Sequence, residues 1–260
     1  MRTIKYILLF ILVFTTSYSQ NSVLEVGEEL YYKVYFGFIT LGEVKFKITG
    51  YDPKTNTYSS TSSMKSYEGI PFINLDYIFE STFFRLNDSI MSRRFYSTEF
   101  KQGVMTHIDY DFDYERSIIK AKRDKDWNVE EEKQYKIIGN KKLQDGLSLF
   151  YNARLQSMVS RNYIVPVYIN GQESSVNYSF NMNKDVISSD LAEYDISAVR
   201  IIGTAQFTGV YGLTGEFVGW LSDDSARIPL KAKFNVTIGS VTLELSKYKR
   251  KNWKPPVYNK

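Results

Sequence analysis

The sequence predicts a mainly β protein: a strongly curved antiparallel sheet or half-open barrel, with one amphipathic helix at about residues 143–159 packed in or across it. Three observations predict this class. Apolar and polar residues alternate with period two in many short segments, the mark of a half-buried strand. Short turn clusters separate those segments, which favours antiparallel pairing because parallel neighbours need long crossovers. One stretch alone carries helical spacing. The 21 Tyr and 17 Phe fit the same picture, since aromatic residues favour strands and fill wide β interiors.

The elements follow in order. Leu30, Tyr32, Val34 and Phe36 alternate with more polar neighbours, and Val44, Phe46 and Ile48 do so after a turn at residues 37–42, giving an opening hairpin. Asp52-Pro53 and Asn56 mark the next turn. Strands are expected at residues 58–67, 76–85, 90–100 and 104–114, with Asn87-Asp88 and Gln102-Gly103 as turns. Residues 117–123 and 133–138 read as two strands flanking a charged loop at 124–132. From Leu143 to Val159 the apolar residues fall at Leu143, Leu147, Phe150, Tyr151, Leu155, Met158 and Val159, one face of a helix, with Asp145 as its N-cap. Strands resume at 163–169, and Asn170-Gly171 is a type I′ hairpin signal leading into 174–181. Further strands are expected at 194–203, 215–222, 227–237 and 240–248. A sheet of this kind must close, fold over or cover its edges. A helix in mid-sequence can cap it, leaving a concave apolar interior.

Residues 1–19 read as a cleavable signal peptide. Arg2 and Lys5 supply positive charge, residues 6–14 are apolar, and Ser17 and Ser19 place small residues before a cut between Ser19 and Gln20. The apolar run is short of the roughly 20 residues a membrane span needs. No Cys follows it, so no lipid attachment at a new N-terminal Cys is expected. No later segment is long and apolar enough to span a bilayer as a helix. The expected organisation is a signal at 1–19, one β-rich domain at 20–248 and a basic, solvated C-terminal tail at 249–260. The expected location is periplasmic or secreted. The formal charge of +4 falls to +2 once Arg2 and Lys5 leave, so no global field points to nucleic acid. The absence of Cys excludes thiol catalysis, Fe–S clusters and thiolate zinc sites, and no cofactor is expected.

Candidate sites are few. His107 is the single His and is expected at the surface. Asp109, Asp111 and Asp113 share a strand face at about 7 Å spacing and form a candidate hard-cation row. A solvated face paired with Lys or Arg of a neighbouring strand is the preferred reading. Asp223-Asp224 reads as a turn former rather than a catalytic carboxylate pair. The Ser-rich residues 59–63 lack a nucleophile-elbow context. No catalytic residue is assigned.

Several stretches resemble an uncharacterised bacterial family, domain of unknown function 3108. They are Gly27-Glu28 with Leu30, Tyr32 and Gly42; Phe112-Asp113; Asp145-Gly146-Leu147-Ser148 with Tyr151 and Arg154; and Trp220-Leu221-Ser222, Asp224, Arg227-Ile228-Pro229 and Gly239-Ser240-Val241. The family implies no activity and no functional residues. The helix-and-curved-sheet layout is also similar to periplasmic lipoprotein carriers of the LolA/LolB kind, which implies an acyl chain held in a half-barrel. The resulting expectation is a non-enzymatic exported protein that binds a lipid or other apolar ligand in the concave face of its sheet. The alternative is an envelope module that binds a protein or polysaccharide.

Overall fold

The computed structural model describes residues 23–70, 73–209, 214–236 and 239–259. The expected signal peptide lies outside them. Among the described residues, fourteen strands form one antiparallel sheet. They are β1 (Glu29–Phe36), β2 (Ile39–Asp52), β3 (Thr57–Ser66), β4 (Asp76–Leu86), β5 (Ser89–Lys101), β6 (Val104–Asp113), β7 (Ile118–Lys125) and β8 (Asn128–Lys136), then, after helix α1 (Gly146–Gln156), β9 (Asn162–Ile169), β10 (Gln172–Ile187), β11 (Ile196–Ala205), β12 (Gly215–Ser222), β13 (Pro229–Asn235) and β14 (Ser240–Lys249). The order across the sheet is β8-β7-β6-β5-β4-β3-β2-β1-β14-β13-β12-β11-β10-β9. Two up-and-down meanders therefore meet at the β1–β14 pair, where Val34 lies opposite Leu243. α1 joins the two outer strands, β8 and β9.

The sheet is not closed into a barrel, but the segment before α1 spans its seam. Pairing between β5 and β6 begins at Arg94, which leaves the first residues of β5 open on that side. There Ser92 N donates to Leu143 O at 3.0 Å, and Tyr168 N on β9 donates to Gln144 O at 2.8 Å. The Gln144 side chain donates to Ile90 O at 2.6 Å. Leu143 and Gln144 are thus consumed as strand-like linkers, which is why the helix starts at its Asp145 N-cap rather than at 143.

Other local expectations change in instructive ways. Asn170 and Gly171 both have positive φ, 54° and 77°, as a type I′ turn requires. Asp126 and Trp127 form a second two-residue turn with φ of 47° and 67°. The charged segment expected as a loop at 124–132 therefore runs straight into strand β8. Its exposed, charged side chains suit an outer strand that must not pair with another chain. The C-terminal segment, read as a solvated basic tail, lies against the domain. Ser197 N donates to Pro256 O, Tyr258 N donates to Asp195 O, and Trp253 Nε1 donates to Asp224 at 2.7 Å.

Candidate functional site

Helix α1 sits on the concave side of the sheet, against β3, β4, β5 and β9. It is held there by polar chemistry as much as by apolar packing. Asp145 is fully buried, and its Oδ1 accepts from Leu147 N and Ser148 N, both at 2.8 Å. Its Oδ2 accepts from Ser81 and Ser92, both at 2.7 Å, so the N-cap also ties the helix to β4 and β5. Burial pushes the Asp145 carboxyl above its ordinary value, against the pull of these donors. Two turns on, Asn152 accepts from Ile90 N at 2.8 Å. At the other end Arg154 is fully buried and grips Glu28 with both terminal nitrogens, at 2.6 and 2.9 Å. It donates further to Arg227 O and Ala226 O. Arg250 pairs with the same Glu28 carboxylate, making an Arg–Glu–Arg triad. Burial works against the Arg154 charge, but Glu28 outweighs it and holds the guanidinium protonated.

The remaining concave face is aromatic and only partly covered. One cross-strand row reads Phe46 on β2, Ser62 on β3, Phe79 on β4 and Ser97 on β5. Large rings thus alternate with small hydroxyls across four strands. Phe46, Phe79, Phe95 and Phe150 pack on the core without being fully buried by it. Phe150 of α1 stacks on Phe46 with centroids 4.1 Å apart and an interplanar angle of 1°. Phe79 stacks between Tyr77 at 5.5 Å and Phe95 at 6.0 Å, and Phe95 continues to Tyr110 at 6.0 Å. The Tyr77 hydroxyl donates to Glu99 at 2.6 Å in the cross-strand row above this wall. A separate groove of about 750 Å³ lies over the other face of β9–β13, where Ile164 and Ile202 are exposed beside Asn177, Thr204 and Lys233.

The sequence-derived candidates fall elsewhere. Asp109, Asp111 and Asp113 do share the outward face of β6. Arg94 holds Asp109 through two bonds of 2.9 and 2.6 Å, and Lys120 and Arg116 lie near Asp111 and Asp113. Among the described residues no group of His and carboxylates is arranged to hold a metal ion. His107 is not at the surface as expected: it is 3% exposed. The Trp127 ring folds back from the β7–β8 turn to cover it, at 4.3 Å, and Tyr96 stacks on it at 5.6 Å. Asp223 accepts from Arg227, while Asp224 accepts from Ser222, Ala226 N, Arg227 N and Trp253, so both organise the β12–β13 turn.

The family description "Protein of unknown function (DUF3108)" matches residues 31–246. The chain belongs to the DUF3108 family. No curated protein matches it. Among solved structures it is similar to a beta-barrel-like protein of domain of unknown function DUF1849 from Brucella abortus. That likeness has a TM-score of 0.55 and 11% identity over 91% of this chain and 100% of the other. A second similar structure is an exported protein with a YmcC-like fold from Bacteroides fragilis, with a TM-score of 0.35 and 6% identity over 87% and 97%. The first supports the barrel-like fold alone. In this DUF3108 chain three of the stretches that carry the family resemblance meet around α1. Glu28 meets Arg154, Asp145 and Ser148 cap the helix, and Asp224 and Arg227 shape the turn whose carbonyls Arg154 reaches. Sequence reasoning identified Asp145 as the cap, but it missed Glu28 as the partner of Arg154, 126 residues away. The available signal was a lone Arg among Phe150, Tyr151 and Leu155, on a helix otherwise packed into a core.

Proposed function

We propose that this is an exported, non-enzymatic binding protein that holds a lipid or other apolar chain on the concave face of its sheet. The observation that carries the reading is the Phe46–Ser62–Phe79–Ser97 row. Its two Phe rings alternate with small Ser side chains, Phe46 stacks on Phe150 of the helix, and both rings remain partly open. Apolar sites with few polar groups suit such ligands. The Tyr77–Glu99 pair supplies a polar end at which a head group can be read. The buried networks at Asp145 and Arg154 fix the helix, so the wall is preformed rather than assembled on binding. In an apolar-fluorophore titration of the mature protein, saturable binding is expected, and Phe79→Asn is expected to weaken it by about tenfold, roughly the loss of half a buried Phe side chain. Unchanged binding in that variant, with its fold intact by circular dichroism, would contradict the site.

A second reading rests on the groove over β9–β13. Its exposed Ile164 and Ile202 beside short amide and hydroxyl side chains fit an envelope protein or polysaccharide partner. Cross-linking in the native envelope that places a stoichiometric partner on β9–β12 would favour it.

A further inference from the structure

On the outer face of the sheet, charges cancel in one cross-strand row and accumulate in the next two. Across β14, β1, β2 and β3 the first row reads Glu244, Lys33, Glu43 and Lys65, with opposite signs alternating. The following row reads Lys247, Tyr31, Lys45 and Ser63, and the one after it Lys249, Glu29, Lys47 and Thr61. These two rows hold four Lys against one Glu, in a chain whose formal charge is only +4. On the far side of β3 they continue into Ile78 and Glu80 of β4. Lys249, expected in a solvated tail, is thus part of a folded surface, because β14 pairs with β1 beside the lysines of β2.

The single carboxylate is consumed inside the patch. Glu29 is buried, accepts from the Tyr31 hydroxyl, and pairs with Lys45 and Lys47 at 2.9 and 3.1 Å. These donors, Tyr31 first, hold its carboxyl down at about 2. Lys45 and Lys247 both lie over the Tyr31 ring, with Nζ 4.9 and 5.4 Å from its centroid. Lys247 and Lys249 are exposed, and among the described residues neither has a carboxylate partner. Strand spacing and rise put the four Lys backbones at the corners of a rectangle about 10 Å by 7 Å. Like charges this close repel one another. The same strands avoid that repulsion one row away, where the signs alternate.

We infer that the outer face of β14, β1 and β2 docks on a bilayer surface that carries anionic lipid. A Lys ammonium is a point charge on a flexible stem, so it meets lipid phosphates without a fixed partner geometry. Each Lys near an anionic bilayer strengthens attachment about fivefold. A specific protein interface needs an apolar core as well as a polar rim. These rows offer no such core: beside the lysines stand the hydroxyls of Ser63 and Thr61, and Tyr31 is already covered by Lys45 and Lys247. Attachment of this kind is electrostatic and weakens as salt screens it. The inference stands apart from the ligand reading, because it needs only the outer face and not the concave wall.

The test is flotation of the mature full-length protein with vesicles of phosphatidylcholine alone and of phosphatidylcholine mixed with phosphatidylglycerol. Wild type is expected to float with the mixed vesicles only, and to be released at about 1 M salt, where the screening length is about 3 Å. The double variant Lys247→Gln, Lys249→Gln is expected to lower the partition coefficient about 30-fold. Lys249→Gln alone is expected to lower it about fivefold, and this side chain has no ion pair whose loss would disturb the fold. Lys120→Gln with Lys122→Gln removes the same net charge from β7, where both lysines are paired with carboxylates, and is expected to change binding less than about twofold. Circular dichroism checks that each variant is folded. A wild type that ignores the mixed vesicles, or floats equally with both kinds, overturns the inference. So does equal loss from the two double variants, binding that survives high salt, or capture by soluble polyphosphate without vesicle binding.

Discussion

Replacing Asp145 with Ala should be among the most destabilising single changes near the site. The carboxylate accepts four hydrogen bonds: two from the first turn of α1, and one each from Ser81 and Ser92. Loss of the N-cap costs about 1 kcal/mol. The Ser81 and Ser92 hydroxyls, both buried, then lose their acceptor, at about 1–3 kcal/mol for a group left unsatisfied. Ser92 still has Ser148 within 2.8 Å, so one hydroxyl rather than two is left stranded. Removing a buried carboxyl also returns part of its desolvation cost. The net expectation is a loss of about 3 kcal/mol for Asp145→Ala and about 1 kcal/mol for Asp145→Asn, whose amide oxygen can still accept from Leu147 N and Ser148 N. Urea unfolding followed by tryptophan fluorescence measures both. A second signature comes from pH. Burial raises the folded-state pKa of Asp145 above 3.8, so the folded protein holds the proton more tightly than the unfolded chain. Wild-type stability therefore falls as pH rises from 3.8 through the raised value, and the advantage over Asp145→Asn narrows across that window. An Asp145→Ala variant as stable as wild type, or a gap to Asp145→Asn that widens with rising pH, would refute the reasoning.

Two further outcomes concern charge inside and outside the sheet. Arg154→Met is expected to cost about 3 kcal/mol, because a buried Glu28 loses its bidentate partner, although Arg250 remains. In a double-mutant cycle with Glu28→Gln the two losses should be strongly non-additive, and simple additivity would show that the pair is not coupled. Glu29 is held down to about 2 by the Tyr31 hydroxyl first, then by Lys45 and Lys47. Its stabilising contribution is therefore complete above pH 4.5 and lost as pH falls toward about 2, a slope that Glu29→Gln should flatten in acid-unfolding curves.

Most of the fold was legible because the sheet is a meander whose neighbours are close in sequence. Period-two alternation located β1 through β7, and Asn170-Gly171 announced its turn. The misreadings share one physical cause, a partner or neighbour remote from the segment. β8 shows no alternation because both of its faces meet solvent, so its charges imitated a loop. His107 looked exposed because it sits among carboxylates, but Tyr96 and the return of Trp127 across the β7–β8 turn cover it. The C-terminal lysines resembled a tail, yet Arg250 reaches Glu28 and Trp253 reaches Asp224. The site divides the same way. The aromatic content was visible, but the Phe46–Ser62–Phe79–Ser97 row exists only in the register of four strands.

The central claim is that the concave aromatic face carries an apolar chain. Native mass spectrometry of the mature protein, isolated from its own envelope without detergent, tests it most directly. The account predicts a mass excess that organic extraction removes and identifies as a lipid or similar apolar molecule, and that is diminished in Phe79→Asn. A population at the bare polypeptide mass, with nothing extractable in wild type, would contradict it.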